Sequence, residues 1–201
     1  MRDDLAAAIE KHKSAFAISL NNAQIGKLAD YYELVQEHNP LLHLVAPCSA
    51  EEFATRHILE SLTLLEFLPE NTCFADVGAG AGLPSIPCLL VREDLSADLI
   101  ESKIKKSAFL EAAIEKLELT GHANVVNRQF EETVPGEAAL ITCRALDKFA
   151  EKLPRLIKWS KGRRLLLFGG ADLRAEIEKY RKISTEKLMP LSERRYLFVT
   201  T

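Results

Sequence analysis

Phe74-Ala-Asp-Val-Gly-Ala-Gly-Ala-Gly-Leu-Pro-Ser-Ile-Pro87, FADVGAGAGLPSIP, decides the reading of this chain. A short apolar strand runs to Val77, then Gly78, Gly80 and Gly82 fall at every second position, and Pro84 marks a helix start. Glycine lets the backbone bend tightly and lets a ligand approach with no Cβ in the way. Proline suits a first helical turn, whose N–H groups have no partner within the helix. Strand, bare loop and helix start together form part of the ligand crevice at the carboxyl edge of an open α/β sheet.

Downstream of the loop the same alternation continues. ADLIE precedes a helix carrying Phe109, Leu110, Ala113, Ile114 and Leu117; ANVVN and ALITC follow, then a helix around 147–158. RRLLLF precedes a helix near 172–181, and ISTEKL with RRYLFVT reads as a terminal hairpin that adds one antiparallel strand. Strand and helix in strict alternation imply a parallel sheet with right-handed crossovers and helices on both faces. Upstream, residues 1–70 read as helices. Ile25, Leu28, Ala29, Tyr32 and Val35 recur at helical spacing, with Pro40 expected to close that segment. After Ser49, the residues Ala54, Ile58, Ser61, Leu62 and Leu65 share a second face. The expected organisation is a helical cap over 1–70 and a ligand-binding α/β domain over 71–201, forming one unit.

The bulk properties narrow the function classes. The chain has 201 residues, 47% hydrophobic and 27% charged, as a globular protein does. No apolar run approaches the ~20 residues of a membrane helix, and the amino end lacks a basic-then-apolar leader, so a cytoplasmic location is expected. Cys48, Cys73, Cys88 and Cys143 form no C-x-x-C pair, which indicates neither a metal site nor a disulfide framework. Net charge is −3, but unevenly spread: residues 1–70 hold 11 acids and 5 bases, residues 71–201 hold 18 and 21. Lys148, Lys152, Arg155, Lys158, Lys161, Arg163 and Arg164 form a tract interrupted by Glu151 alone. It reads either as a polyanion surface or as a solvated helix face.

Two ligand classes compete for the glycine loop. A dinucleotide site wants G-x-G-x-x-G so that a pyrophosphate meets helix N–H groups. Here Leu83 stands at the position of the last glycine, and Asp76 precedes the loop, where a carboxylate would repel a pyrophosphate. The same carboxylate suits a ligand with an ammonium and a sulfonium, which is S-adenosyl-L-methionine. Glu101, 25 residues on, stands where an acid accepts ribose hydroxyls in either class.

RHILESL (56–62), DVGAGAGLPSIP (76–87), ESKIKKSAFL (101–110), NRQFEE (127–132), CRAL (143–146) and RRYLFV (194–199) follow one another in order. In this the chain resembles the RsmG family, also called glucose-inhibited division protein B. The resemblance implies a class I S-adenosylmethionine-dependent methyltransferase fold: Rossmann-like, with a mostly parallel seven-stranded sheet and a helical amino-terminal extension. It implies methylation of N7 of a guanosine in 16S ribosomal RNA of the small subunit. It places cofactor contacts on Gly78, Leu83, Gln129, Phe130 and Arg144, beside Asp76, Gly80, Gly82, Glu101 and Glu131. Arg128 and Arg195 match arginines near the active site or the RNA, and Lys105 and Lys106 match paired basic residues. The family's Arg-x-Glu appears here as Arg128-Gln129-Phe130-Glu131, its Asn-Leu-Thr as His43-Leu44-Val45, and its lysine after the fifth strand as Gly169.

Guanine N7 carries a lone pair and no proton, so its methylation needs alignment rather than a base. The competing chemistry, at cytosine C5, needs a cysteine nucleophile, for which Cys143 beside Arg144 is the candidate. Strand-end packing is the alternative role for that thiol. Two other classes stay open at this level: a protein that binds the cofactor without transferring its methyl group, and an NAD-linked oxidoreductase. Arg56, with Glu52 and Glu60 four residues to either side, reads as a helical ion-pair residue as readily as a functional one.

Overall fold

The computed structural model describes residues 1–144 and 148–201. Ala145 and Leu146 of the CRAL motif, and the first residue of the helix expected from 147, lie outside the described residues. Seven strands form one sheet: β1 (Cys73–Val77), β2 (Ser96–Ile100), β3 (Ala123–Val126), β4 (Leu140–Arg144), β5 (Arg164–Gly169), β6 (Ile183–Leu188) and β7 (Tyr196–Thr200). Their order is β3-β2-β1-β4-β5-β7-β6, with β7 antiparallel to both neighbours and the remaining pairs parallel. Strand order reverses at β1, so the carboxyl ends of β1, β2 and β4 border the crevice that such a reversal creates.

The central strands are apolar because both faces are covered. Phe74, Leu99, Ile141 and Leu165 to Leu167 have no or almost no exposed surface. Each large buried side chain of this kind contributes about 1.5–3 kcal/mol relative to exposure. α5 (Ser85–Val91), α6 (Ile104–Lys116), α7 (Phe149–Trp159) and α8 (Ala171–Glu178) supply the covering layers.

The amino-terminal helices are α1 (Arg2–His12), α2 (Asn22–Leu42), α3 (Ala50–Glu52) and α4 (Glu60–Leu62). They share a hydrophobic cluster with the sheet: Leu28, Tyr31 and Phe53 belong to the same group as Phe74, Ile86 and Leu110. A full capping box, Asn21 with Gln24, starts α2. Pro40 does not end it. The helix runs on to Leu42, and its stop is made by Asn39, whose carbonyl accepts the N–H of left-handed His43 at 3.0 Å and whose side chain accepts that of Val45 at 3.0 Å.

Between α3 and α4, Phe53–Leu59 is π-helical, and Glu60 N–H reaches back five residues to the Thr55 carbonyl. Such segments recur at functional sites. The wider turn breaks the four-residue register expected for this run. Arg56 pairs with exposed Glu52 at 3.6 Å, but the carboxylate of Glu60 turns inward to other partners. Leu64 is fully buried here, whereas Leu65, expected on the inner face, is half-buried.

Candidate functional site

After β1 the chain turns through Gly78 (φ 76°), Gly80 (φ 56°) and Gly82 (φ 88°), conformations that side chains with a Cβ rarely adopt. The N–H groups of Gly78 and Ala79 both go to the Ile100 carbonyl, at 2.9 and 3.1 Å, which ties the loop to the end of β2. One residue past β2, Glu101 accepts the N–H of Gly80 at 3.0 Å on one oxygen and that of Lys103 at 2.8 Å on the other. A second lone pair remains on each oxygen for a diol. From the other side, the buried hydroxyl of Tyr31 in α2 donates to the Ala81 carbonyl at 2.9 Å. The cap thus braces the loop directly, a contact that the helical periodicity of residues 25–35 does not announce.

A cavity of about 520 Å³ opens in front of this loop. Its walls combine Gly78 to Ala81 and Leu83, Glu101 to Lys103, Gln129 after β3, and Arg144 at the end of β4. The connector Leu44–Ala46, His57, Lys106 and Lys152 close it from the cap and helix sides. Six of the expected cofactor residues meet here: Gly78, Gly80, Leu83, Glu101, Gln129 and Arg144. Arg128, Phe130 and Glu131 border a smaller adjoining recess, which Gly78, Gln129 and Lys152 also line. Phe130 packs edge-on against Trp159, and Glu131 faces Arg155 of α7 at 3.7 Å. Gly82 lies outside the cavity wall, where an added Cβ would sit 2.3 Å from Ile86 Cδ1. At Gly169, a Cβ would lie 2.5 Å from Leu173, so Leu173 occupies the space a lysine's stem would need.

Asp76 lies behind the loop, fully buried. One carboxylate oxygen accepts the Ser85 hydroxyl at 2.6 Å, and Oδ1 has no hydrogen-bond partner among the described residues. Burial pushes its pKa up to about 7 against the opposing bonds from Ser85. A buried, half-satisfied carboxylate beneath a bare loop suits a cationic ligand in front of it.

A second polar centre joins three distant segments. Glu60, only 2% exposed, receives Arg195 Nε at 2.6 Å and Arg144 at 3.4 Å. Arg144 also donates to Ser61 Oγ at 3.2 Å and to the Arg56 carbonyl, and lies over the Phe168 ring at 5.5 Å. Burial raises the pKa of the Glu60 carboxyl, and the two guanidiniums oppose that rise. His57, on the cavity wall, is pushed down to about 3 by burial and by Arg144, Arg56 and Arg195, and its Nδ1 has no partner among the described residues. Its imidazole is therefore neutral and a very weak base. Cys143, in β4, is fully buried in the core and does not line the cavity.

A reversed-order parallel sheet with one antiparallel strand, a glycine loop after β1 and an acid after β2 define a class I methyltransferase. Residues 24–194 match the family described as GidB, rRNA small subunit methyltransferase G. The chain belongs to that family and is an RNA methyltransferase that uses S-adenosyl-L-methionine. It is 32% identical over 196 residues to "Ribosomal RNA small subunit methyltransferase G" of Caulobacter vibrioides, covering 92% of this chain and 88% of that protein. The protein of the same name from Corynebacterium diphtheriae is 29% identical, with 86% and 80% covered. Among solved structures, the ribosomal protein L11 methylase of Lactobacillus delbrueckii subsp. bulgaricus shares the fold, with TM-score 0.55 and 16% identity over 73% of this chain and 78% of that one. Family membership sets aside the oxidoreductase alternative. No helix among the described residues is long and apolar enough to cross a membrane.

Proposed function

We propose that the chain methylates N7 of a guanosine in 16S ribosomal RNA, in the cytoplasm, on free RNA or the small subunit. The observation that carries this reading is the state of His57, the one imidazole among the described residues on the cavity wall: burial and three arginines push its pKa down to about 3, which leaves it a poor base. Glu101, the one carboxylate on that wall among the described residues, accepts two backbone N–H groups and keeps its remaining lone pairs for hydroxyls, and Glu60 behind the wall is paired with two guanidiniums. Exocyclic amines, ring N–H groups and ribose hydroxyls all lose a proton on methylation, whereas guanine N7 does not. The buried Cys143 likewise disfavours cytosine C5.

S-adenosyl-L-methionine supplies an electrophilic methyl group on a sulfonium. The residues that would hold it fit its groups. Gly78 and Gly80 present backbone without side chains, Glu101 accepts hydroxyls, and Gln129 with the Phe130–Glu131 backbone flanks the base. Asp76 supplies negative potential from behind the loop, and Arg144 supplies a cation for a carboxylate. Arg128 borders the adjoining recess, where arginine suits phosphate, and Arg195 orders the site through Glu60. The work left to the protein is to align the nucleophile and exclude water, which accounts for a large part of such a barrier.

Calorimetry tests the cofactor assignment. The wild type should bind S-adenosyl-L-methionine and not NAD, and Glu101→Ala should weaken binding about tenfold or more, the cost of about 1.5–3 kcal/mol for a charge-assisted hydrogen bond. Unchanged affinity in Glu101→Ala would remove the acid from the site.

A further inference from the structure

Beside the cavity lies a second depression of about 490 Å³, between the end of α2 and the start of α6. Leu41, Leu42 and His43 form one bank, and Ser102 to Lys106 form the other. Ser102, Lys103 and Lys106 line both spaces, so the groove continues the cavity outward rather than standing apart from it.

Its lining combines two kinds of surface. Leu41 is 84% exposed and Ile104 75%, the two most exposed large apolar side chains among the described residues. An isolated exposed leucine needs no explanation, but two lining one groove do. Around them stand Lys103, Lys105 and Lys106, and no acidic side chain lines the groove. Lys103 and Lys105 have no ion-pair partner among the described residues, and Lys106 Nζ donates to the His43 carbonyl at 3.2 Å, across the groove. The first turn of α6 contains no acid, and although Glu101 just before it accepts the Lys103 N–H, three lysines gather at the positive end of the helix dipole. A polyanion would relieve that arrangement.

We propose that this groove holds the RNA strand next to the target nucleotide, with a phosphate against Lys103 and Lys105 and a neighbouring base resting on Leu41 and Ile104. Phosphates paired with lysines and unstacked bases on apolar or aromatic side chains are how single-stranded RNA is held. A protein partner would leave the lysines facing no phosphate, and a free nucleotide would not need a groove continuous with a methyl-transfer cavity. The inference rests on the RNA methyltransferase reading, and its test separates the two.

The test uses the full chain with three substitutions that touch neither the cavity wall nor the core: Leu41→Gln, Ile104→Gln and Lys105→Ala. Affinity for naked, in vitro transcribed 16S rRNA and for intact small subunits is measured across a salt series, alongside methyl transfer to the naked RNA and cofactor affinity. Leu41→Gln with Ile104→Gln should raise both the RNA Kd and the KM about five- to tenfold, with kcat and cofactor affinity unchanged. Lys105→Ala should weaken binding and reduce the salt slope by about one, the mark of one lost phosphate contact. Lys105→Arg should restore most of that affinity. Unchanged affinity for naked RNA in all variants would overturn the proposal, as would losses seen only with intact subunits, which would assign the groove to a ribosomal protein. Groove-dependent RNA binding by a wild type that transfers no methyl group would keep the groove and overturn the activity instead.

Discussion

At Gly82 an added Cβ would lie 2.3 Å from Ile86 Cδ1, and the backbone sits at φ 88°, so Gly82→Ala strains the loop from both sides. It should cost about 1–3 kcal/mol in chemical denaturation. A cost within 0.5 kcal/mol would mean the loop accommodates the methyl group and the glycine has another cause. Two buried titratable groups give stability opposite pH slopes. Asp76 has its folded pKa raised to about 7, so its contribution is present below the unfolded value near 4 and is lost as pH rises towards 7. His57 has its folded pKa lowered to about 3, so its contribution is present above the unfolded value near 6.5 and is lost as pH falls towards 3. Between about pH 4 and 6.5 the two oppose each other. Denaturation profiles should therefore show Asp76→Asn gaining stability with rising pH more steeply than wild type, and His57→Gln less steeply. Parallel profiles for all three proteins would rule out either burial effect. In the sequence, Asp76 and Glu101 were legible because each stands at a strand end with a fixed spacing to the glycines. Glu60 was not. Its neighbours in sequence suggest a helical pair with Arg56, whereas its partners lie 84 and 135 residues away, and only the fold brings them together.

At the scale of elements, α2 does more than cover the sheet. Tyr31 anchors the glycine loop by one buried hydrogen bond to Ala81. Tyr31→Phe removes the donor and leaves a buried carbonyl without that bond, which should cost about 1–2 kcal/mol of stability. Because the same bond fixes the loop, cofactor affinity should fall severalfold while the fold persists, and calorimetry would read it. Loss of stability with full cofactor affinity would show that the brace is structural only. The periodicity of α2 marked Ile25, Leu28, Ala29, Tyr32 and Val35 as buried, and all five are. Tyr31 escaped because a tyrosine beside the apolar stripe looks the same whether its hydroxyl finds water or a carbonyl. Pro40 misled for a related reason. It lacks a helical N–H, yet so near the carboxyl end the helix continues two further residues, to Leu42, and is stopped by Asn39. The π-helical run Phe53–Leu59 leaves no compositional trace, since a one-residue widening keeps the apolar residues inside while turning Glu60 towards Arg144 and Arg195.

For the whole molecule, the alternation of strands and helices from Thr72 onward carried the topology, including the antiparallel last strand. It did so because parallel strands buried on both faces must be apolar and must be joined by crossovers. The cap's relation to the sheet was less visible, because shared burial of Leu28, Tyr31 and Phe53 with Ile86 is a property of packing and not of local pattern. That packing builds a cavity with Glu101 on one wall, bare glycine backbone in front of a buried carboxylate, and Arg144 at the β4 end. The most direct test is methyl transfer from labelled S-adenosyl-L-methionine to small ribosomal subunits, and to their naked 16S RNA, from cells lacking this activity, with the labelled nucleoside identified after digestion. The account predicts label as 7-methylguanosine in 16S RNA. Label as 5-methylcytidine, or no label from a protein that binds the cofactor, would contradict it.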